Sequence, residues 1–208
     1  TVVVFGSARV ASPQQAQATL AEVQARASSN PNDDRLPAAM TRARQQVRQS
    51  HYYEVARRFA EIVSLRFQEE GRRDFVVVTG GGPGIMEAAN RGAFDAGARS
   101  IGLNITLQHE QAPNPFITPG LCFQFRYFGL RKMHFLMRAK ALVVFPGGFG
   151  TMDELFEVLT LVQTGKVSRV PIVLVGTDFW RKAINFDFLI EEGYIGAQDV
   201  QLFTLVNT

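Results

Sequence analysis

Four short apolar runs, Val2 to Phe5, Phe75 to Val78, Ala141 to Phe145 and Ile172 to Val175, constrain the fold of this 208-residue chain more than any other feature. Each run is continuous rather than alternating, the pattern of a strand covered on both faces of a parallel sheet. The segments between them carry helical spacing instead. Val55, Phe59, Ile62 and Val63 precede the second run, and Leu155, Leu159 and Val162 follow the third. Strand alternating with helix predicts right-handed crossovers and an α/β fold: a doubly wound, mostly parallel, Rossmann-like sheet with helices on both faces. Further strands are expected at Ser100 to Ile105, Leu121 to Tyr127 and Leu202 to Val206.

Ala11 to Arg73 is too long for one crossover helix, and the polar run Ser28 to Asp34 marks a turn between two helices. Residues 11–73 therefore read as a helical layer inserted after the first strand of one domain spanning 1–208. The many Gln and Arg residues of this layer suit a solvated helix surface. The 22 Lys and Arg balance 19 Asp and Glu to a formal charge of +3, too even a distribution to mark a nucleic-acid surface. No apolar run approaches the roughly 18 residues of a membrane helix, so no membrane association is expected. The single cysteine, Cys122, excludes an internal disulfide framework, and a reducing cytoplasm is the expected setting.

Ligands of an open parallel sheet bind beyond the carboxyl ends of its strands. Three turns at such ends are rich in small residues: Phe5-Gly6-Ser7-Ala8-Arg9, Thr79-Gly80-Gly81-Gly82-Pro83-Gly84 and Pro146-Gly147-Gly148-Phe149-Gly150-Thr151. Any one of them is better explained by a tight turn. Three together point to main-chain N–H groups approaching a phosphate at helix N-termini, with Pro83 opening the helix after the second turn. Neither later turn matches the dinucleotide fingerprint GxGxxG, because Ile85 and Asp153 stand where the third glycine belongs. The P-loop lysine is missing as well. A mononucleotide or sugar phosphate is the ligand class that remains.

Arg131 and Lys132 fall in the first turn of a helix expected over Gly129 to Ala139, at the unfavourable end of its dipole, where either an anion or solvent must meet them. Glu154 follows Thr151 at capping-box spacing, so Thr151 capping the helix and Glu154 reaching back to it is the local expectation. Against it stands position: a carboxylate one turn from a phosphate-cradling loop lies where a ribose would be.

The segment Pro146-Gly147-Gly148-Phe149-Gly150-Thr151-Met152-Asp153-Glu154 reproduces PGGxGTxxE, and Arg131-Lys132 stands upstream of it. In these residues the chain resembles the LONELY GUY (LOG) family of cytokinin riboside 5'-monophosphate phosphoribohydrolases. The run Thr79 to Asn90, Gly6 to Arg9 and His109-Glu110-Gln111 are similar to its longer bacterial branch. The resemblance implies hydrolysis of the N-glycosidic bond of a nucleoside 5'-monophosphate, AMP or a cytokinin riboside monophosphate, to free base and ribose 5-phosphate. It implies Arg131 and Glu154 as catalytic residues. The substrate's phosphate and ribose would be held by Gly147, Gly148, Gly150 and Thr151 with Gly82 and Ser7, while Lys132, Glu157 and Glu87 stand in reserve. No cofactor and no metal is implied; His51, His109, His134 and Cys122 have no ligand spacing among themselves. A homodimer or higher homo-oligomer is implied too, with the aromatic stretch Leu121 to Phe128 available for a subunit contact, a base pocket or ordinary strand core. The family's common decarboxylase label lacks support in the residues, since no lysine stands in an evident Schiff-base context. The contrasting possibility is a carrier that binds a phosphorylated, nucleotide-like cofactor without chemistry.

Overall fold

A computed structural model of the chain describes residues 1–69, 71–106 and 112–207. Its centre is a seven-stranded sheet of β1 (Val2–Phe5), β4 (Val77–Thr79), β5 (Ser100–Ile105), β6 (Cys122–Phe125), β7 (Ala141–Val144), β8 (Ile172–Val175) and β9 (Thr204–Val206). The strand order is β6-β5-β4-β1-β7-β8-β9, and every ladder is parallel. The apolar runs thus form β4, β1, β7 and β8, four adjacent inner strands, where burial on both faces requires continuous hydrophobicity.

Alternation along each strand divides the core. Val2 and Val4 face one layer with Tyr53, Ala56 and Ala60 of α3 (His51–Phe67) and Ile85 and Ala88 of α4 (Ile85–Asp95). Val3 and Phe5 face the other, with Phe135 of α5 (Phe128–Leu136), Leu155 and Val158 of α6 (Phe149–Gln163) and Trp180 of α7 (Thr177–Ala183). Two further helices, α1 (Pro13–Ser29) and α2 (Leu36–Gln49), share a small cluster of their own around Val23, Leu36 and Ala43. Ser12 starts α1 through a capping box with Gln15, and Pro13 takes the first helical position.

The added layer holds three helices rather than two, because the chain breaks again at Ser50, whose N–H still bonds to the Gln46 carbonyl. It closes on a two-residue hairpin, β2 (Gln68–Glu69) with β3 (Arg72–Arg73), too short to leave a periodic signal. The expected strand over Leu121 to Tyr127 shrinks to β6, since Tyr127 already caps α5, and the residues before Thr204 form a short 3₁₀ turn, Asp199–Leu202. Pro83 lies just ahead of α4, which Gly84 caps. The chain ends on α8 (Phe186–Glu191), that turn and β9. No helix among the described residues is long and apolar enough to cross a membrane.

Helices α3 and α4 meet main chain to main chain at Gly92: a Cβ there would overlap the Arg57 carbonyl oxygen. Gly92→Ala adds roughly 1 kcal/mol of helix propensity, yet overpacking against a neighbouring backbone costs about 1–3 kcal/mol. The overlap wins. Chemical denaturation should show the variant less stable than the parent, and equal or greater stability would mean that the two helices have room to spare.

Candidate active site

Because β4 and β7 flank β1, the turns after these three strands meet beyond one edge of the sheet, where the strand order reverses. Hydrogen bonds lock them together. Ser7 N–H donates to the Pro146 carbonyl at 3.1 Å, and Ile85 N–H donates to the Ser7 carbonyl at 3.1 Å. Gly84 sits at φ +73°, with the main chain of Ser7 and Ala8 where a Cβ would stand, so this junction admits only glycine. The three turns and helices α5 and α6 enclose a cleft of about 750 Å³, within the range of small-ligand sites.

The N-terminus of α6 opens into that cleft. Gly148, in extended conformation, is the N-cap and supplies no side-chain acceptor, leaving the first-turn N–H groups uncapped by any side chain. Thr151 is therefore the third helical residue rather than the cap, and the expected capping box is absent. The helix begins earlier than the Thr-x-x-Glu pattern suggests because Phe149 and Gly150 join its first turn. Glu154 lies in the next turn, out of reach of the cap. Gly147 is packed against Thr151, which fills the place of a Cβ. Gly148 and Gly150 have open space there and ordinary φ, so neither packing nor backbone strain accounts for their being glycine.

Glu154 points instead at α5. Its Oε1 accepts a hydrogen bond from Arg131 Nη2 at 3.3 Å, with side-chain exposures of only 7% and 14%. The guanidinium packs over the rings of Phe128 and Phe135, at 5.3 and 5.7 Å from their centroids. Burial pushes the Glu154 carboxyl up to about 7, and the charges of Arg131 and Lys132 pull it only part of the way back. The same burial lowers the Arg131 guanidinium from its ordinary value, against the pull of Glu154. Arg131 Nε is buried with no hydrogen-bond partner among the described residues.

The structure brings Arg131, Glu154, Gly147, Gly148, Gly150, Thr151 and Ser7 to this one cleft. Gly82 is not among the lining residues: its carbonyl faces Asn114 Nδ2 at 3.0 Å, and Gly80 lines the wall in its place. Lys132 turns away from the cleft to Asp153 at 2.7 Å and Glu157 at 3.0 Å. The anions that compensate both cations near the start of α5 are thus the protein's own. Glu87 is also outside the lining, accepting from the Tyr53 hydroxyl at 2.8 Å. His51 and His134 contact the main chain of their own segments, at Arg48 and Leu130, and His109 with its neighbours Glu110 and Gln111 lies outside the described residues. No group of three or more His, Cys, Asp or Glu placed to hold a metal ion occurs among the described residues.

A buried polar network escapes sequence reading altogether. Thr79 Oγ1 donates to Asn90 Oδ1 at 2.7 Å and accepts from Gly81 N–H at 2.9 Å, while Asn114 Nδ2 faces the carbonyls of Gly81 and Gly82 and Asn90 Oδ1. The three side chains pin the turn that backs Arg131; Gly80 lies beside the Arg131 guanidinium. Only the pairing of Thr79 with Asn90 eleven residues on was there to be noticed, and nothing local marks it.

The family model described as "Possible lysine decarboxylase" matches residues 86–208, more than half of the chain. The chain belongs to this LOG-type family. Among curated relatives, cytokinin riboside 5'-monophosphate phosphoribohydrolase LOG4 of Arabidopsis thaliana is 30% identical over 134 residues, covering 62% of this chain and 61% of that protein. The probable enzyme of the same description, LOG4 of Oryza sativa subsp. japonica, is 30% identical over 139 residues, covering 65% and 59%. The chain spans about three fifths of the length of the curated relatives it matches. Two solved structures share the fold: TM1055, a structural-genomics target, with TM-score 0.58, 20% identity and coverage of 100% and 91%, and the molybdenum cofactor binding protein of Rippkaea orientalis, with TM-score 0.52, 17% identity and coverage of 76% and 80%.

The family's description names a decarboxylase, yet none of the described residues lining this LOG-type cleft is a lysine. Lys132, on the neighbouring turn of α5, is held by two carboxylates, which outweigh the effect of burial and raise its ammonium above the ordinary value. The cleft's own titrating group is Glu154, and it leaves a mark on stability. Its folded-state value of about 7 lies above the usual 4.5, so folding favours the protonated form. That contribution is fully present below pH 4.5 and is lost as pH rises through 7. Stability of the parent relative to Glu154→Gln should therefore fall by on the order of 3 kcal/mol between pH 4.5 and 8, read by denaturation across that range. A pH-independent difference would show that Glu154 ionises normally.

Proposed function

We propose that the chain hydrolyses nucleoside 5'-monophosphates, AMP or a cytokinin riboside monophosphate, to free base and ribose 5-phosphate, without a cofactor. The carrying observation is a buried carboxylate ion-paired to a buried arginine in a cleft whose entrance is an uncapped helix N-terminus. The activity named for the relatives supports this reading. We also read residues 1–208 as one nucleotide-binding unit, with 11–73 as its insertion.

In this reading the phosphate sits against the α6 N-terminus at Gly147, Gly148, Gly150 and Thr151, with the Ser7 hydroxyl beside it. The ribose then lies over Glu154. Water adds to the anomeric carbon as the N-glycosidic bond breaks; the proton that the water sheds reaches the departing base nitrogen by way of Glu154, so the base leaves as the neutral heterocycle and the carboxylate is regenerated. Ionised Glu154 accepts the proton and faces the positive charge developing on the ribose. A carboxyl near 7 is divided between its two forms at neutral pH, the condition in which it exchanges protons readily. Arg131 keeps its proton throughout and therefore positions rather than transfers, through Nη2 to Glu154.

The homo-oligomer finds support in exposed apolar surface on the outer strand and the helix after it. Phe123, Tyr127, Phe128, Leu130 and Met133 are each about half exposed or more, next to Arg131. A second copy of the chain is the occupant assigned here. Leu130→Glu should shift the protein to a smaller species in sedimentation, and an unchanged size would remove this face from consideration.

Incubation with AMP or isopentenyladenine riboside monophosphate should release free base. Glu154→Gln should lower kcat by about 10²–10⁴ with KM changed only a few-fold, and the parent's rate should rise with pH through 7. Folded protein that releases no base from either nucleotide would exclude this activity, and a Glu154→Gln variant as active as the parent would exclude Glu154 as its base.

A further inference from the structure

The phosphate of a nucleoside monophosphate carries about two negative charges at neutral pH. Of the three ionisable side chains that line the cleft, Arg131 and Glu154 face each other at 3.3 Å and offset one another. The third is Arg9. It forms no ion pair among the described residues, whereas Lys132 is committed to Asp153 and Glu157. The other nearby cations, Arg48 and Lys182, line a separate cavity behind Gly147.

The backbone holds Arg9 in place while its side chain stays free. Its N–H donates to Ser7 Oγ at 3.1 Å, Ser7 N–H is tied to Pro146, and the next residue, Val10, is buried at 5% exposure. The side chain itself is exposed and borders the cleft from the β1 turn, while α6 presents its N-terminus from the turn after β7. A guanidinium there can grip two phosphate oxygens with parallel N–H donors, and main-chain N–H groups take the rest.

We propose that Arg9 is the phosphate clamp of this cleft, the residue that makes it select phosphorylated over unphosphorylated ligands. The proposal rests on the reading of the cleft as a nucleotide site, and binding can test it apart from hydrolysis. Arg9→Ala should raise KM for AMP about tenfold, the low end for a charge-assisted bond at an exposed position, with kcat within about twofold. Inhibition by adenosine, which has no phosphate, should be unchanged, and Arg9→Lys should fall between the parent and Arg9→Ala. Independently of turnover, calorimetric titration with ribose 5-phosphate at low salt should show binding to the parent and about tenfold weaker binding to Arg9→Ala. An unchanged KM, an equal loss for adenosine, equal ribose 5-phosphate affinities, or no ribose 5-phosphate binding by the parent would each overturn the proposal. Parent protein that binds ribose 5-phosphate through Arg9 but releases no base would sink the hydrolase reading and leave the clamp standing.

Discussion

β1 is hydrogen-bonded to β4 on one side and β7 on the other, and the candidate site follows from that single placement. Strands added outward from β4 run through β5 to β6, while those added from β7 run through β8 to β9, so the helices after β4 and β7 diverge to opposite faces. The space left between them at the carboxyl edge cannot be filled by a crossover. Three glycine-bearing turns line it because the main chains there approach one another closely enough to hydrogen-bond, as Ser7 does with both Pro146 and Ile85. Larger residues at the tightest junctions would push the turns apart and close off the helix N-terminus that they expose.

Onto that frame the structure places a buried ion pair with an unfavourable balance for its carboxylate. Desolvation of Glu154 outweighs the attraction of Arg131, which is why the carboxyl rises rather than falls beside a guanidinium. A protein selected for stability alone would do better with apolar residues of similar size at both positions. The pair persists with an unsatisfied Arg131 donor beside it and with uncapped N–H groups at the head of α6. These costs coincide in one cleft, as in a site that holds polar groups ready for a ligand.

The sheet could be read from the chain because burial on both faces leaves continuous apolar runs, and Val2 to Phe5 and Ile172 to Val175 coincide with β1 and β8. The site was harder, for a definite reason. Thr151 and Glu154 satisfy the local rule for a capping box, but the carboxylate's partner is Arg131, 23 residues away in sequence and on another helix. Local rules fail where a tertiary partner competes for the same group. Gly82 and Gly80 show the same limit at finer scale: both are glycines of one turn, and only the position of Asn114, reached across 32 residues, turns Gly82 aside. For Lys132 the sequence leaves anion and solvent equally open, because its partners Asp153 and Glu157 arrive only when α6 packs against α5. The break at Ser50 is invisible because the helical backbone conformation continues through it.

The glycines themselves sort into two kinds, and the division carries the argument for a ligand further than the motif does. Gly84 is required by positive φ and by the Ser7–Ala8 main chain, and Gly147 by the Thr151 side chain, so folding explains both. Gly148 and Gly150 have ordinary backbone angles and empty space where a Cβ would go; alanine at either would fold as well, and at Gly150, inside a helix, better. Gly129 has the same freedom, but it lies on the exposed face of α5 beside Phe128 and Leu130, where a neighbouring subunit rather than a ligand would claim the space. In the cleft, what remains to account for two glycines that the fold does not need is a group that must approach the main chain more closely than a methyl allows. Uncapped N–H groups at that point make an anion the group that gains most by doing so.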